Sequence, residues 1–265
     1  MGQRENEVIN VPKIESQGAS DIGLRRQLNE DFLVIDREIG LFIVADGMGG
    51  HNAGEIASKL AAETVSKFMQ HSIDEDEITW PYGINPKLSI NANRLRTAIM
   101  LANKRVWKEA DQRQDYTGMG TTLGAAIAGG GHITFAGAGD SRIYRIRGDT
   151  MEQMTVDDSW VQVAINEGVL DPDDAQSHPM KNIITKAIGA KDNIEFSVRE
   201  EQLQEGDVYL LCSDGLHGMV SDEAILRVVL ESEGELEKCV QGLIKAANEN
   251  GGKDNVTALL LRSGS

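Results

Sequence analysis

The sequence predicts an α+β domain built in layers, and three observations predict it. Short apolar runs rich in β-branched and aromatic residues follow one another across turns too short for parallel crossovers. Helical patterns interrupt these runs in pairs instead of alternating with them one for one. The chain has 265 residues, 40% of them hydrophobic, which suits one large domain with a sizeable core. Helices covering two stacked antiparallel sheets fit this order.

Residues 1–16 are polar and read as a flexible leader. Residues 32–36 and 41–45 read as two strands joined by a turn at Glu38-Ile39-Gly40. From 53 to 68 the apolar residues Ile56, Ala57, Leu60, Ala61, Val65 and Phe68 keep helical spacing. Residues 72–91 form a connection, and 93–111 a second helix with Leu95, Ile99, Ala102 and Val106 on one face. Three strands follow at 121–128, 133–138 and 142–147. The segment 155–192 is mixed, with broken helical patterns at 160–166 and 173–178. Strands resume at 194–198 and 208–212. Helices at 222–231 and 235–248 and a last strand at 255–261 complete the chain.

With 42 acidic against 26 basic residues the net charge is -16, which argues against broad binding of nucleic acid or acidic membrane. Cys212 and Cys239 have no zinc spacing and read as buried, reduced and inert. The N-terminal stretch lacks the apolar run of a signal peptide. The longest apolar run, 123–138, is broken at Gly129-Gly130-Gly131-His132, so no membrane span is expected. A cytoplasmic protein is the simplest reading.

Five short strings carry the chemistry: Asn29-Glu30-Asp31, Val44-Ala45-Asp46-Gly47-Met48-Gly49-Gly50-His51, Gly139-Asp140-Ser141-Arg142, Ser213-Asp214-Gly215 and Lys253-Asp254-Asn255-Val256-Thr257. Most of their Asp residues begin or end an apolar run. Carboxylates at strand ends can converge on one spot, where like charges cannot all stay ionised without cations. An oxygen-only ligand set, with a backbone carbonyl at Gly47 to add, favours Mg²⁺ or Mn²⁺ over zinc. Two such ions about 3.5–4 Å apart form the clamp of phosphatases and nucleases. Arg26, shortly before Glu30, could bind a phosphate through its planar fork. Gly49, Gly50 and Gly54 complete neither a P-loop nor a dinucleotide fingerprint, and Gly54 reads as a close-packing position. His51, His178, His217, Met48 and Met119 read as structural.

These strings, in this order and with Arg26 ahead of them, resemble the metal-dependent protein phosphatases of the 2C family, over residues 17 to 262. The resemblance is nearest to the bacterial serine/threonine phosphatases that oppose Hanks-type kinases. It implies a four-layer α-β-β-α sandwich as a single catalytic domain, with two core Mn²⁺ or Mg²⁺ ions and a third, weaker one. It implies direct hydrolysis of phosphoserine and phosphothreonine by a metal-bridged hydroxide. Asp46 matches the acid bridging both ions, the Gly47 carbonyl a ligand of the second, and Asp214 and Asp254 ligands of the first. Glu30 matches an acid near the second ion and Asp31 its supporting neighbour. Arg26 matches the phosphate-binding arginine, and Asp140 a ligand of the third ion with Asp214 shared. Ser159 falls in the flap beside the site. Phosphorylated proteins, a Ser/Thr kinase or its substrates, are the implied partners.

Two positions depart from the family pattern. Met48 stands where eukaryotic members carry a histidine proposed as general acid, and the flap reads Asp157-Asp158-Ser159 where many bacterial members have Asp-His-Ser. A hydrolase of small phosphate metabolites on the same scaffold and a silent phosphoprotein-binding module are the other readings; the intact acid set argues against the second.

Overall fold

Side-chain alternation along single strands sets the layers. The computed structural model describes residues 13–50, 53–74, 79–175 and 178–264. The chain runs β1 (Ile14–Asp21), β2 (Asp31–Asp36), β3 (Leu41–Met48), α1 (Ala53–Asp74) and α2 (Ile90–Gln112). Then come β4 (Gly120–Thr121), β5 (Leu123–Gly129), β6 (His132–Ala138), β7 (Arg142–Arg147) and β8 (Thr150–Gln153). Two short helices, α3 (Trp160–Asn166) and α4 (Pro172–Ala175), precede β9 (Val198–Gln202) and β10 (Val208–Cys212). The chain ends with α5 (Asp214–His217), α6 (Asp222–Glu231), α7 (Leu236–Glu249) and β11 (Val256–Ser263).

One sheet has the order β1-β11-β10-β7-β8 and the other β2-β3-β5-β6-β9, with β4 paired to β3. All these pairings are antiparallel. In β3, Leu41, Ile43 and Ala45 face a core shared with α1 and α2, while Phe42 and Val44 face the second sheet. In β10, Leu210 and Cys212 face α6 and α7, while Tyr209 and Leu211 face inward. Helix pair, sheet, sheet, helix pair is therefore the layer order, as expected. Among the described residues no helix is long and apolar enough to cross a membrane.

The observed elements correct the sequence reading at three sheet edges and at one helix start. β1 starts at Ile14, so the leader boundary at residue 16 was too late; residues 1–12 lie outside the described residues. β8 had no sequence signal strong enough to be read. The strand expected at 194–198 lies instead at Val198–Gln202, and Ile194 and Phe196 pack against the α1/α2 core without joining the sheet. The helix expected to begin at residue 93 begins at Ile90, with Ser89 as its cap: the Ala92 amide donates to the Ser89 hydroxyl at 3.1 Å.

Gly215, in α5, is a position where the sign of a substitution tests the packing. A Cβ there would lie 1.8 Å from the Asn255 carbonyl oxygen. Gly-to-Ala changes that fit the backbone stabilise by about 0.4–1 kcal/mol. Gly215→Ala should instead cost about 1–3 kcal/mol through overpacking, seen as a lower denaturant midpoint. A raised midpoint would contradict the close approach of α5 to the turn before β11.

Candidate metal centre

The acids converge because the strands that carry them end on the same side of the sandwich. Asp31 opens β2 directly opposite Asp46 in β3. Asp140 lies in the turn from β6 to β7, Asp214 opens α5 after β10, and Asp254 precedes β11. The charges of Asp31, Asp214, Asp140 and Asp254 all act on Asp46, whose pKa is driven well above the carboxylate range by burial and then by those neighbours. Burial, then the Asp214 charge, pushes Asp140 up to about 7. Burial also pushes Asp31 up to about 6, against the hydroxyls bonded to it. Asp214 rises to about 6 through burial and then the Asp254 charge.

Neutral donors hold this cluster in place. Asp31 is 8% exposed, and its Oδ2 accepts from Thr257 Oγ1 at 2.6 Å and Ser213 Oγ at 2.7 Å. The Ser213 hydroxyl also accepts from the Thr257 amide at 3.0 Å, so β10 and β11 present both donors together. The Asp46 amide donates to Thr122 Oγ1 at 3.1 Å, and the Thr121 hydroxyl donates to the Asp46 carbonyl at 2.8 Å. These four hydroxyl residues escaped the sequence reading. Ser213 and Thr257 sit inside the motifs, but nothing local says that they meet over Asp31.

Glu30, Gly47 and Gly54 form one close contact. The Gly47 amide donates to the Glu30 carbonyl at 3.1 Å, and the Ser58 hydroxyl donates to the same oxygen at 2.6 Å. Backbone N–H groups of Gly54 and Glu55 favour the Glu30 carboxylate, although burial outweighs them and its pKa is raised. A Cβ on Gly54 would lie 2.5 Å from Glu30 Oε1, and one on Gly47 would lie 2.1 Å from the Gly54 carbonyl oxygen. Gly54 is thus the close-packing position its place at the helix start suggested.

Arg26 reaches the edge of the cluster, where Nη2 donates to Asp254 Oδ2 at 2.6 Å. That hydrogen bond comes first among the causes that raise the Arg26 pKa. The Arg26 side chain keeps 49% exposure, so it has donors to spare at the mouth. Asn255 fixes this rim: its Oδ1 accepts from the Glu30 amide at 2.8 Å, and its Nδ2 donates to the Ile22 and Leu28 carbonyls at 3.0 and 2.9 Å.

The flap side is anchored as firmly. Ser159 is 3% exposed and caps α3, its Oγ accepting from the Gln162 amide at 3.3 Å. It lines a cavity of about 160 Å³ together with Asp140, Asp214 and His217. Arg142 clamps Asp157 with Nε and Nη2, at 3.1 and 2.8 Å. His217, read as an ordinary histidine, donates from Nε2 to the Asp140 carbonyl at 2.9 Å. Burial and then Arg142 push its pKa down to about 4, so the ring is neutral and pins the Asp140 turn. His178 stacks on Trp160 with ring centroids 4.9 Å apart, and His51 lies outside the described residues.

The donor set fits a hydrated divalent cation. Among the described residues, Asp31 Oδ1 and Asp214 Oδ1 are buried and have no hydrogen-bond partner. A buried carboxylate oxygen without a partner is costly unless a cation or ordered water meets it. No three acid, histidine or cysteine side chains among the described residues close into a ready-made cage. Mg²⁺ needs none, since it retains several waters and takes one or two carboxylates directly.

A family model for protein phosphatase 2C matches residues 24–260. The serine/threonine phosphatase stp of Listeria innocua is 37% identical over 250 residues, covering 91% of this chain and 93% of that protein. The crystal structure of the Mycobacterium tuberculosis serine/threonine phosphatase PstP/Ppp matches with a TM-score of 0.83 and 34% identity, over 95% of this chain and 99% of that one. A PstP catalytic domain in complex with two manganese ions matches at 0.81 and 32% identity, over the same 95% and 99%. The chain belongs to the protein phosphatase 2C family, in its bacterial serine/threonine form. It is a metal-dependent phosphoprotein phosphatase whose cofactor is Mn²⁺ or Mg²⁺.

The raised carboxyl pKa values give this centre a pH signature. Folded Asp31 and Asp214 titrate near 6 and Asp140 near 7, above the unfolded value of about 4. Their contribution to the metal-free fold is full below about pH 4 and is lost as pH rises through 6 to 7. Metal binding needs the ionised forms. The rise in melting temperature on adding saturating Mn²⁺ to metal-free protein should therefore be larger at pH 7.5 than at pH 5. An equal rise at both would contradict these assignments.

Proposed function

We propose that this enzyme hydrolyses phosphoserine and phosphothreonine in proteins by direct attack of water activated between two divalent ions, with no phosphorylated enzyme. The gathering of Asp31, Asp46, Asp140, Asp214 and Asp254 on one side of the sandwich carries this reading. Asp46 would contact both ions, the Gly47 carbonyl the second, and Asp214 and Asp254 the first. Asp140 would hold a third cation more weakly, with Asp214 shared. Bound ions supply positive charge opposite the phosphoryl oxygens and lower the pKa of water.

The protein's own groups then have separate tasks. Arg26 binds the phosphate from the rim with donors that Asp254 does not use. Glu30 would act near the second ion, through water, and Asp31, held by Ser213 and Thr257, fixes the β2 end against Asp46. Ser159 sets the flap wall facing Asp140. Met48 has no proton to give, and His217 commits its Nε2 proton to the Asp140 carbonyl, so neither serves as general acid. The natural substrates are phosphoproteins of a Hanks-type kinase, in the cytoplasm; Cys212 and Cys239, buried and unpaired, suit a reducing compartment.

Turnover of a phosphothreonine peptide across a manganese titration tests the reading, with a sugar phosphate at equal concentration as the competing substrate. A preference for the sugar phosphate would favour a metabolite hydrolase. Asp46→Asn should lower kcat at least about 10³-fold, or about 4 kcal/mol of barrier; a variant keeping a tenth of normal turnover would remove Asp46 from the centre. Arg26→Ala should raise KM for the peptide more than it lowers kcat, as lost uniform binding does. An unchanged KM with metals saturating would place Arg26 outside the phosphate site.

A further inference from the structure

The loop between β1 and β2 displays apolar side chains around the rim arginine. Ile22, Leu24 and Leu28 are 38%, 65% and 42% exposed. Isolated exposed leucines are ordinary on protein surfaces. Two leucines and an isoleucine within seven residues, on either side of Arg26, form a ridge where a phosphorylated substrate must arrive.

The ridge is rigid, which separates it from a mobile loop with incidental leucines. The Leu24 amide donates to the Gly252 carbonyl at 2.8 Å. Asn255 Nδ2 donates to the Ile22 and Leu28 carbonyls, so both ends are tied to the turn that carries Asp254. The Gly23 amide donates to Asp21 Oδ1 at 2.8 Å, and Asn248 Nδ2 donates to the same oxygen at 3.0 Å. Contact is close as well as bonded. A Cβ on Gly23 would lie 2.2 Å from the Asp254 carbonyl oxygen, and one on Gly252 would lie 2.7 Å from Leu24 Cγ. Leu24 therefore lies across the turn leading to Asp254, with its outer face open.

We propose that Leu24 and Leu28 form a specificity surface for the polypeptide flanking the phosphoresidue, and that it selects apolar flanking side chains. The inference rests on the phosphatase reading and names the substrate class of that same site. A backbone already fixed loses little entropy on binding, so apolar area buried there converts to affinity with small loss. Charge bears on one class of flank only: the net charge of -16 disfavours substrates with acidic flanks. Holding an acidic flank would need cations, and of the loop's two arginines Arg26 is engaged by Asp254 while Arg25 stands exposed against the net charge of -16.

The test compares phosphothreonine peptides carrying Leu, Ser or Asp beside the phosphoresidue, with p-nitrophenyl phosphate as a substrate that has no flank. Wild-type protein should hydrolyse the Leu peptide with kcat/KM about fivefold to tenfold above the Ser peptide, the size expected for partial burial of one leucine, and the Asp peptide least well. In Leu24→Ser and Leu28→Ser proteins the Leu-to-Ser peptide ratio should collapse toward one. Both residues are exposed, and equal melting temperatures confirm the folds. Equal kcat/KM for the Leu and Ser peptides in the wild-type protein overturns the inference, as does a preference that survives both substitutions. Absence of p-nitrophenyl phosphate and peptide hydrolysis together would strike the phosphatase reading instead, so the two failures are distinguishable.

Discussion

Repulsion among buried carboxylates governs the arrangement of this protein. Asp31, Asp46, Asp140 and Asp214 all have raised pKa values because they share a buried place with like charges. The fold's own cations offset that repulsion only in part: Arg26 and Lys181 act on Asp214 and Arg142 on Asp140, yet burial and the like charges prevail. Arg26 stays at the rim on Asp254, and Arg142 is spent on Asp157. Hydroxyls from Ser213, Thr257, Thr121 and Thr122 fix the positions without neutralising the charge. A cluster left acidic and partly unsatisfied is what lets Mn²⁺ or Mg²⁺ bind there. Strand register follows the same constraint, since Asp31 meets Asp46 only in the observed β2/β3 pairing, and a one-residue slip would turn either acid to the other face.

Interior strands were legible because both their faces are buried. β3, β5, β6, β10 and β11 alternate between a helix-facing core and the inter-sheet core, and each shows a dense apolar run. Three of the four strands at sheet edges were missed or misplaced. Among the described residues β1, which reads IESQGASD, pairs only with β11, and β8, which reads TMEQ, only with β7. β9 reads VREEQ, while the more strand-like residues just before it stay outside the sheet. Edge strands need backbone partners more than buried side chains, so their sequences carry little signal.

The site divides in the same manner. Its acids stood out in the sequence because five short acidic strings follow one another in a fixed order over one domain length, although any single Asp-Gly pair marks an ordinary turn. Their supports were not, because each acts over a long separation in sequence. Asn255 ties the 22–30 loop to the last strand, and His217 crosses from α5 to the Asp140 carbonyl. An asparagine or histidine in either place has no local pattern to mark it. Ser159, placed by the resemblance in the flap beside the site, is a buried helix cap.

Calorimetric titration of the metal-free protein with Mn²⁺, repeated near pH 6 in buffers of different protonation enthalpy, tests the central claim most directly. Carboxyls that titrate at about 6 to 7 hold protons there, and cation binding must expel them. The account predicts binding of at least two ions with net proton release near pH 6, a release that fades toward pH 8. Binding without proton release near pH 6, or no binding at all, would contradict it.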